Sequence, residues 1–449
     1  MTGTFGSLNT ALSALRYQQV ALDVANNNIA NVNTAGYVRR RAEAASVGAT
    51  GQPTMWSQYD GHGDGVRVAS VDRLADPLLD ARSRRENGTL SYLSTQQTIL
   101  NRVETSIGEP GDNGLSAALQ ELGAAFQDLV GDPAGAAARK TVLAKADAVT
   151  SAFKTQSDSI AGEIADQQSH ASTVVQEVND AATELARLNK TIKVAQVNNT
   201  DVGTLSDQRD LLALSLAKLT GAEVSVQPDG QFNVAVNGVA LVTGDTAATM
   251  TATSGTPVAL SVGGTAVPAG VGGELGGVVD VLNTTLPAYK KSLDDIATKF
   301  AAQMNAQHRA GTDLNGNPGQ DLFTIDPADP AGSLAVAFTN TDLLAASAGG
   351  AKDGGNADAL SRATTVGSDY AALVTSFGSA VASVNRQTTN QQTLTNQVDD
   401  EREQMAGVNL DEETVNMVAA QHAYEAASKM LTVMDSILDT LINRTGVTH

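Results

Sequence analysis

The sequence predicts a mainly α chain with a small β insertion: an elongated, multi-domain molecule with terminal coiled-coil helices and a long helical rod. Three observations carry that prediction. Both ends hold apolar residues at alternating spacings of three and four, the stretch after Pro133 runs to Asn198 without another proline, and the texture changes to β-like alternation at Gly221. Aromatic residues make up only 4% of the chain, so the stripes are aliphatic. That composition suits long helices.

The first helix is predicted from about Ser7 to Val32. Leu8, Ala11, Leu15, Gln18, Leu22, Ala25, Ile29 and Val32 form a heptad seam with one polar interruption. The run containing Asn26, Asn27, Asn31 and Asn33 ends it, because Asn competes for backbone hydrogen bonds and Gly36 can take a left-handed cap. The last helix repeats the pattern through Met417, Ala420, Tyr424, Ala427, Leu431, Met434, Leu438 and Leu441. Asp411, Glu412 and Glu413 lie ahead of it, where acidic groups favour a helix start, and Gly446 follows it. Two matched seams at opposite ends predict that the termini pair.

Between them, Gly131-Asp132-Pro133 reads as turn, N-cap and first helical residue. The helix launched there would carry ~60 residues over roughly 90 Å. Ile160, Ile164, Ala171, Val174, Val178, Ala181, Leu185, Leu188 and Ile192 keep a heptad through it. Shorter helices are expected at about Leu90–Ile107 and Leu115–Val130, with a returning helix, polar in its middle, from Leu373 to Met405. After Gly221, Val224 and Val226 alternate, as do Phe232, Val234 and Val236. Pro228-Asp229-Gly230 and Asn237-Gly238 supply turns, the second leading into Val239–Val242. A helix from about Val278 to His308 then resumes the stripe, and Ala310–Gly355 is expected as loop with one more hairpin. The predicted domains are therefore nested: 1–36 with 407–449, then 37–220 with 278–406, then 221–277.

Composition narrows the function. Lys and Arg total 29 against 49 Asp and Glu, a net charge of −20, which opposes phosphate backbones and anionic lipid; no nucleic acid or membrane partner is expected. The absence of cysteine excludes disulfides, thiolate nucleophiles and Cys-based metal sites. The start lacks a basic, apolar and cleavable leader, and no stretch reaches the ~18–20 apolar residues of a membrane span. A soluble chain reads this way, as does one exported by a dedicated apparatus without cleavage.

Sites of chemistry are not predicted: no catalytic, cofactor-binding or metal-binding residue, and no enzyme. His62, His170, His308, His422 and His449 are scattered without ligand spacing and are expected on the surface or on helix faces. DGHGDG (Asp60–Gly65) and DLNGNPGQD (Asp313–Asp321) read as turns. In the second, Pro318 stands where a calcium loop needs glycine, and Thr324 replaces its bidentate glutamate. Gly131–Thr141 has Arg139 where a phosphate loop needs glycine, and GGELGG at Gly272–Gly277 lacks the full nucleotide signature and reads as a connector. GxSxG and HExxH are absent.

The terminal helices carry more apolar surface than one seam uses. Relative to Met417, Val415 and Val433 fall about 160° around the helix and Ile437 about 200°, at 100° per residue. Val20 and Val24 lie similarly opposite Leu8. An assembly interface is therefore expected on both faces. It comprises the seam residues Leu8, Leu15, Leu22, Ile29, Tyr424, Leu431, Met434, Leu438 and Leu441, and the outward residues Val20, Val24, Val415, Val433 and Ile437.

The segment Asp23–Arg40, DVANNNIANVNTAGYVRR, and the segment Gly407–Glu413, GVNLDEE, leading into QHAYEAASKMLTVMDSILDTLI, resemble the paired end motifs of the flagellar axial protein family of rod, hook and hook-associated subunits. The motif positions are Asn26, Asn27, Asn31, Asn33, Gly36 and Tyr37, with Asn409, Leu410, Asp411 and Glu412. Within that family NVNTAGYVRR, with its basic pair, is similar to hook-associated members. So are internal segments such as VDRLADPLLDARSR and LSDQRDLLALSLAKLTGAEVSVQPDGQFNV.

The resemblance implies a secreted structural subunit at the junction of hook and filament. It would leave the cell through the type III export apparatus and assemble as a homo-oligomer whose terminal helices build a coiled-coil inner tube. The implied partners are the hook protein, a second junction protein and an export chaperone holding the C-terminal helix; no cofactor is implied. A hook or distal-rod subunit is the alternative within the family, and the long Pro133–Asn198 helix argues against it. A secreted enzyme or adhesin borrowing axial ends would need converging titratable groups, which no motif supplies.

Overall fold

The computed structural model describes residues 2–48, 65–109, 111, 114–198, 200–349, 352–363 and 365–440, with side chains from residue 6 onward. The chain starts with helix α1 (Thr2–Ala30), then a hairpin of β1 (Arg40–Ser46) and β2 (Val66–Arg73), antiparallel with a bulge at Glu43/Ala44. Helices α2 (Pro77–Ile107), α3 (Leu115–Gly131), α4 (Ala136–Val197) and α5 (Gly203–Thr220) follow. The β segment has two antiparallel sheets. One holds β3 (Glu223–Val226), β4 (Phe232–Val236), β5 (Val239–Thr243) and β6 (Thr246–Ala247) in sequence order; the other holds β7 (Met250–Ala252), β8 (Leu260–Val262) and β9 (Thr265–Ala266). Next come α6 (Gly273–Asp280), a π-turn at Val281–Thr285, α7 (Leu286–Arg309), and a small hairpin of β10 (Phe323–Thr324) and β11 (Ala335–Val336) around α8 (Pro330–Ser333). Helices α9 (Gly355–Arg362), α10 (Val366–Ala406) and α11 (Leu410–Asp439) complete it.

The 62-residue helix α4 is the spine. Its first half, from Val142 to Phe153, is buried in a core with Leu122, Phe126, Phe300, Phe323 and Leu360. Its second half, from Ile160 to Ala186, is buried in another core with Val103, Leu216, Val234, Val262, Val278 and Leu282. The β strands contribute to that second core rather than enclosing one of their own. At Asn237 and Gly238 the φ angles are 45° and 83°, the left-handed pair that a tight hairpin turn demands.

Several boundaries differ from expectation. Pro133 is not the first residue of α4. Helix α3 runs on through Gly131, and α4 starts at Ala136 after Gly135. Arg139 accounts for this: it is almost fully buried, and its guanidinium donates to the Pro133, Thr341 and Leu344 carbonyls at 2.7, 2.9 and 2.7 Å, which holds the Pro133 turn outside the helix. Helix α2 begins at Pro77 rather than near Leu90, with the Asp76 carboxylate accepting from the Leu78 and Leu79 amides. Its first half packs on α10 through polar groups: Ser83 and Asn87 donate to Asp399, Gln391 donates to Glu86, and Arg402 pairs with Asp80. An apolar period could not reveal a face of that kind.

His308 is a second departure, being wholly buried. Its Nδ1 lies 2.5 Å from the Gln320 carbonyl and its Nε2 accepts from the Ala345 amide at 2.8 Å, so the neutral tautomer with the proton on Nδ1 is fixed. Burial pushes its pKa below the ordinary histidine value. His170 approaches Glu274 and His422 is exposed, while His62 and His449 lie outside the described residues. Asp313 caps its own loop, accepting from the Asn315 and Asn317 amides. DGHGDG lies outside the described residues except Gly65, and GGELGG opens α6, where Gly276 and Gly277 pack on Tyr92. Among the described residues no helix is long and apolar enough to cross a membrane.

Candidate assembly interface

The two termini meet. Helices α1 and α11 lie antiparallel, and Ser7 Oγ at one end touches Met434 Sδ at 3.5 Å while Asn28 at the other reaches Glu413. On α11, Met417, Ala420, Ala427, Leu431, Met434 and Leu438 are buried or half-buried along one stripe. On α1, Leu8, Ala11, Leu15, Leu22, Ala25 and Ile29 are likewise covered. Tyr424 departs from the expected seam: it is 40% exposed, and Ala423 takes the place beside Ala420 in the cleft facing Tyr17 and Ala21. Leu441 and Gly446 lie outside the described residues.

One buried polar junction joins the two end motifs. Asn28 is fully buried; its amide donates to the Arg40 carbonyl at 2.9 Å and to Glu413 Oε2 at 3.0 Å, while its Oδ1 accepts from the Arg40 amide and from the Tyr37 hydroxyl. Burial raises the Tyr37 pKa, which keeps that hydroxyl a donor. Arg39 then pairs with Glu413 at 2.7 Å and Glu412 at 2.8 Å, and its amide donates to the Ala406 carbonyl. Asn409 caps α11 by accepting from the Asp411 and Glu412 amides. Gly36, at φ 74°, closes the turn against Leu211.

Arg40 carries the junction into the rod. Its guanidinium lies over the Tyr37 ring and meets Thr204, Asp207 and Asp201 at 3.0, 3.2 and 3.4 Å. Arg73 of β2 also reaches Asp207, and Asp210 as well. Burial pushes the Asp207 carboxyl up against the opposing pull of Arg73 and Arg40. A Cβ added at Gly203 would stand 2.6 Å from the Arg40 guanidinium carbon, so that position keeps the cradle open.

The expected outward faces divide. On α11, Val415 (67% exposed), Val433 (54%) and Ile437 (40%) stand in solvent, joined by Val418 and Met430. On α1, Val20 and Val24 are half-buried, because the β1–β2 hairpin and the end of α4 stand over them and form a cleft of about 590 Å³. Only half of that hairpin left a sequence signal: Arg40–Ser46 holds no large apolar residue to alternate, whereas Val66 and Val68 of β2 do alternate. Asn26, Asn27 and Asn33 are exposed, Asn31 turns back to Asn27, and Leu410 is 48% exposed. The buried polar members of the motifs are thus Asn28, Arg40 and Glu413, neighbours of the residues singled out from the sequence.

Residues 100–323 match the family described as flagellar hook-associated protein FlgK helical domain; residues 8–37 match flagella basal body rod protein, and residues 402–444 match flagellar basal body rod FlgEFG protein C-terminal. The flagellar hook-associated protein 1 of Bacillus subtilis is 30% identical over 506 aligned positions, covering 100% of this chain and 99% of the relative.

The chain belongs to the flagellar hook-associated protein 1 family.

Its Escherichia coli relative of the same name is 26% identical over 97% of this chain and 99% of its own. The fold is shared with the flagellar hook junction protein FlgK from Burkholderia pseudomallei, at a TM-score of 0.64 and 17% identity, over 72% of this chain and 99% of that one. As a hook-associated protein 1 family member, the chain is a structural component of the bacterial flagellum. The B. subtilis alignment is longer than the 449 residues here, so that relative carries material inserted relative to this chain.

Proposed function

We propose that this chain is the subunit that joins hook to filament, polymerising through segments 1–36 and 407–449 into a tube of like copies. The supporting observation is the solvent-facing stripe on α11, present although the seam behind it is already closed by α1. Val415, Val418, Met430, Val433 and Ile437 leave roughly 400 Å² of apolar side-chain surface uncovered, worth roughly 10 kcal/mol if fully buried. Apolar surface of that extent on a chain of charge −20 is large enough to serve as an interaction surface. Through it the chain would meet its own copies in the tube. The hook protein and a second junction protein would bind at the tube's two ends, and before export a chaperone would cover the same stripe as the chain passes to the type III apparatus.

Replacing Val433 with Asp tests this. The variant should keep its helical content as a free chain yet fail to support filaments on hooks in cells lacking their own copy. Normal filament attachment by Val433→Asp would exclude the stripe as the polymerising surface.

A further inference from the structure

The exposed stripe and the cleft over α1 lie on opposite sides of the terminal helix pair. At 100° per residue, Val20 and Val24 are set roughly opposite the α1 seam, and Lys429 and Val433 are turned well away from the α11 seam, with Met430 on its flank. A ridge on one side and a cleft on the other, on the same small unit, suit head-to-tail contact between copies rather than a two-fold pair. The cleft is walled by Val20, Val24, Val71 and Val202, with Asp23 at its edge.

Charge sets the register. Lys429 is the one Lys or Arg residue of α11, it lies one turn before Val433, and no ion-pair partner for it exists among the described residues. Asp23 is exposed at the cleft and equally has none. Within one chain the antiparallel register is fixed by Asn28 against Glu413 and Ser7 against Met434, which sets Lys429 near Leu12, far from its own Asp23.

We infer that Lys429 of one copy pairs with Asp23 of the next, seating Met430 and Val433 among Val20, Val24 and Val71 and so closing the tube by a heterologous contact. Keeping the antiparallel sense, that pairing slides the neighbour's α11 by about eleven residues from its intramolecular register, an axial step of about 16 Å. The inference rests on the proposed polymerising role and specifies the surface that meets the α11 stripe.

The chain contains no cysteine, so introduced thiols report alone. Full-length Val433→Cys and Val71→Cys chains are co-expressed in cells lacking their own copy, and purified flagella are oxidised and run without reductant. A disulfide dimer that requires both variants together is expected. Charge reversals give a second reading: Asp23→Lys and Lys429→Asp should each lower incorporation about tenfold or more, and the doubly reversed chain should recover it. Normal incorporation without the mixed dimer and without recovery in the double reversal overturns this pairing while leaving the polymerising role intact. Dimers from Val433→Cys alone likewise overturn it, in favour of a ridge-to-ridge contact. Failure of the unaltered chain to enter flagella overturns the underlying role, and the pairing with it.

Discussion

Asn28 shows how much one side chain can organise. It satisfies four hydrogen bonds inside a buried junction and ties α1 to β1 and α11 at once. Truncating one partner of a buried, charge-assisted pair leaves the other uncompensated. Glu413→Gln should therefore cost about 3 kcal/mol locally. Hydrogen exchange should accelerate across α1 and the start of α11 while α4 amides stay protected; unchanged α1 protection would show the junction to be dispensable. His308 makes a separate prediction. Its folded pKa is depressed, so the unfolded chain binds the extra proton first, and stability is complete above about pH 6.5 and falls as pH drops below it. Denaturant melts should show that loss in the parent chain and a flatter profile in His308→Gln.

At the scale of elements, legibility followed the physics of each face. The terminal seams, the second half of α4 and the Asn237-Gly238 hairpin announced themselves through apolar period and turn chemistry, and all three are present. The first half of α2, strand β1 and the Arg139 staple did not, because their contacts are polar or built from alanine and arginine. The candidate site divides the same way: the Val415, Val433 and Ile437 face was readable from helical geometry, whereas burial of Asn28 rather than Asn27 depends on a neighbour that only tertiary structure brings. Seam and stripe can be separated experimentally. Leu431→Asp should loosen α1 from α11 and block incorporation, while Val433→Asp should block incorporation alone. Circular dichroism of the free chains distinguishes them, with a lower helical signal expected only for Leu431→Asp.

Over the whole molecule, the junction at Asn28, Arg40 and Asp207 links the terminal helices to α5, which packs in turn on α4. Among the described residues nothing covers the stripe on α11, and the proposed role requires that neighbouring copies do. Single cysteines read this directly: maleimide labelling of Val433→Cys compared between the free chain and assembled flagella. Rapid labelling when free and strong protection once assembled is the predicted result. Equal labelling in both states would contradict the account.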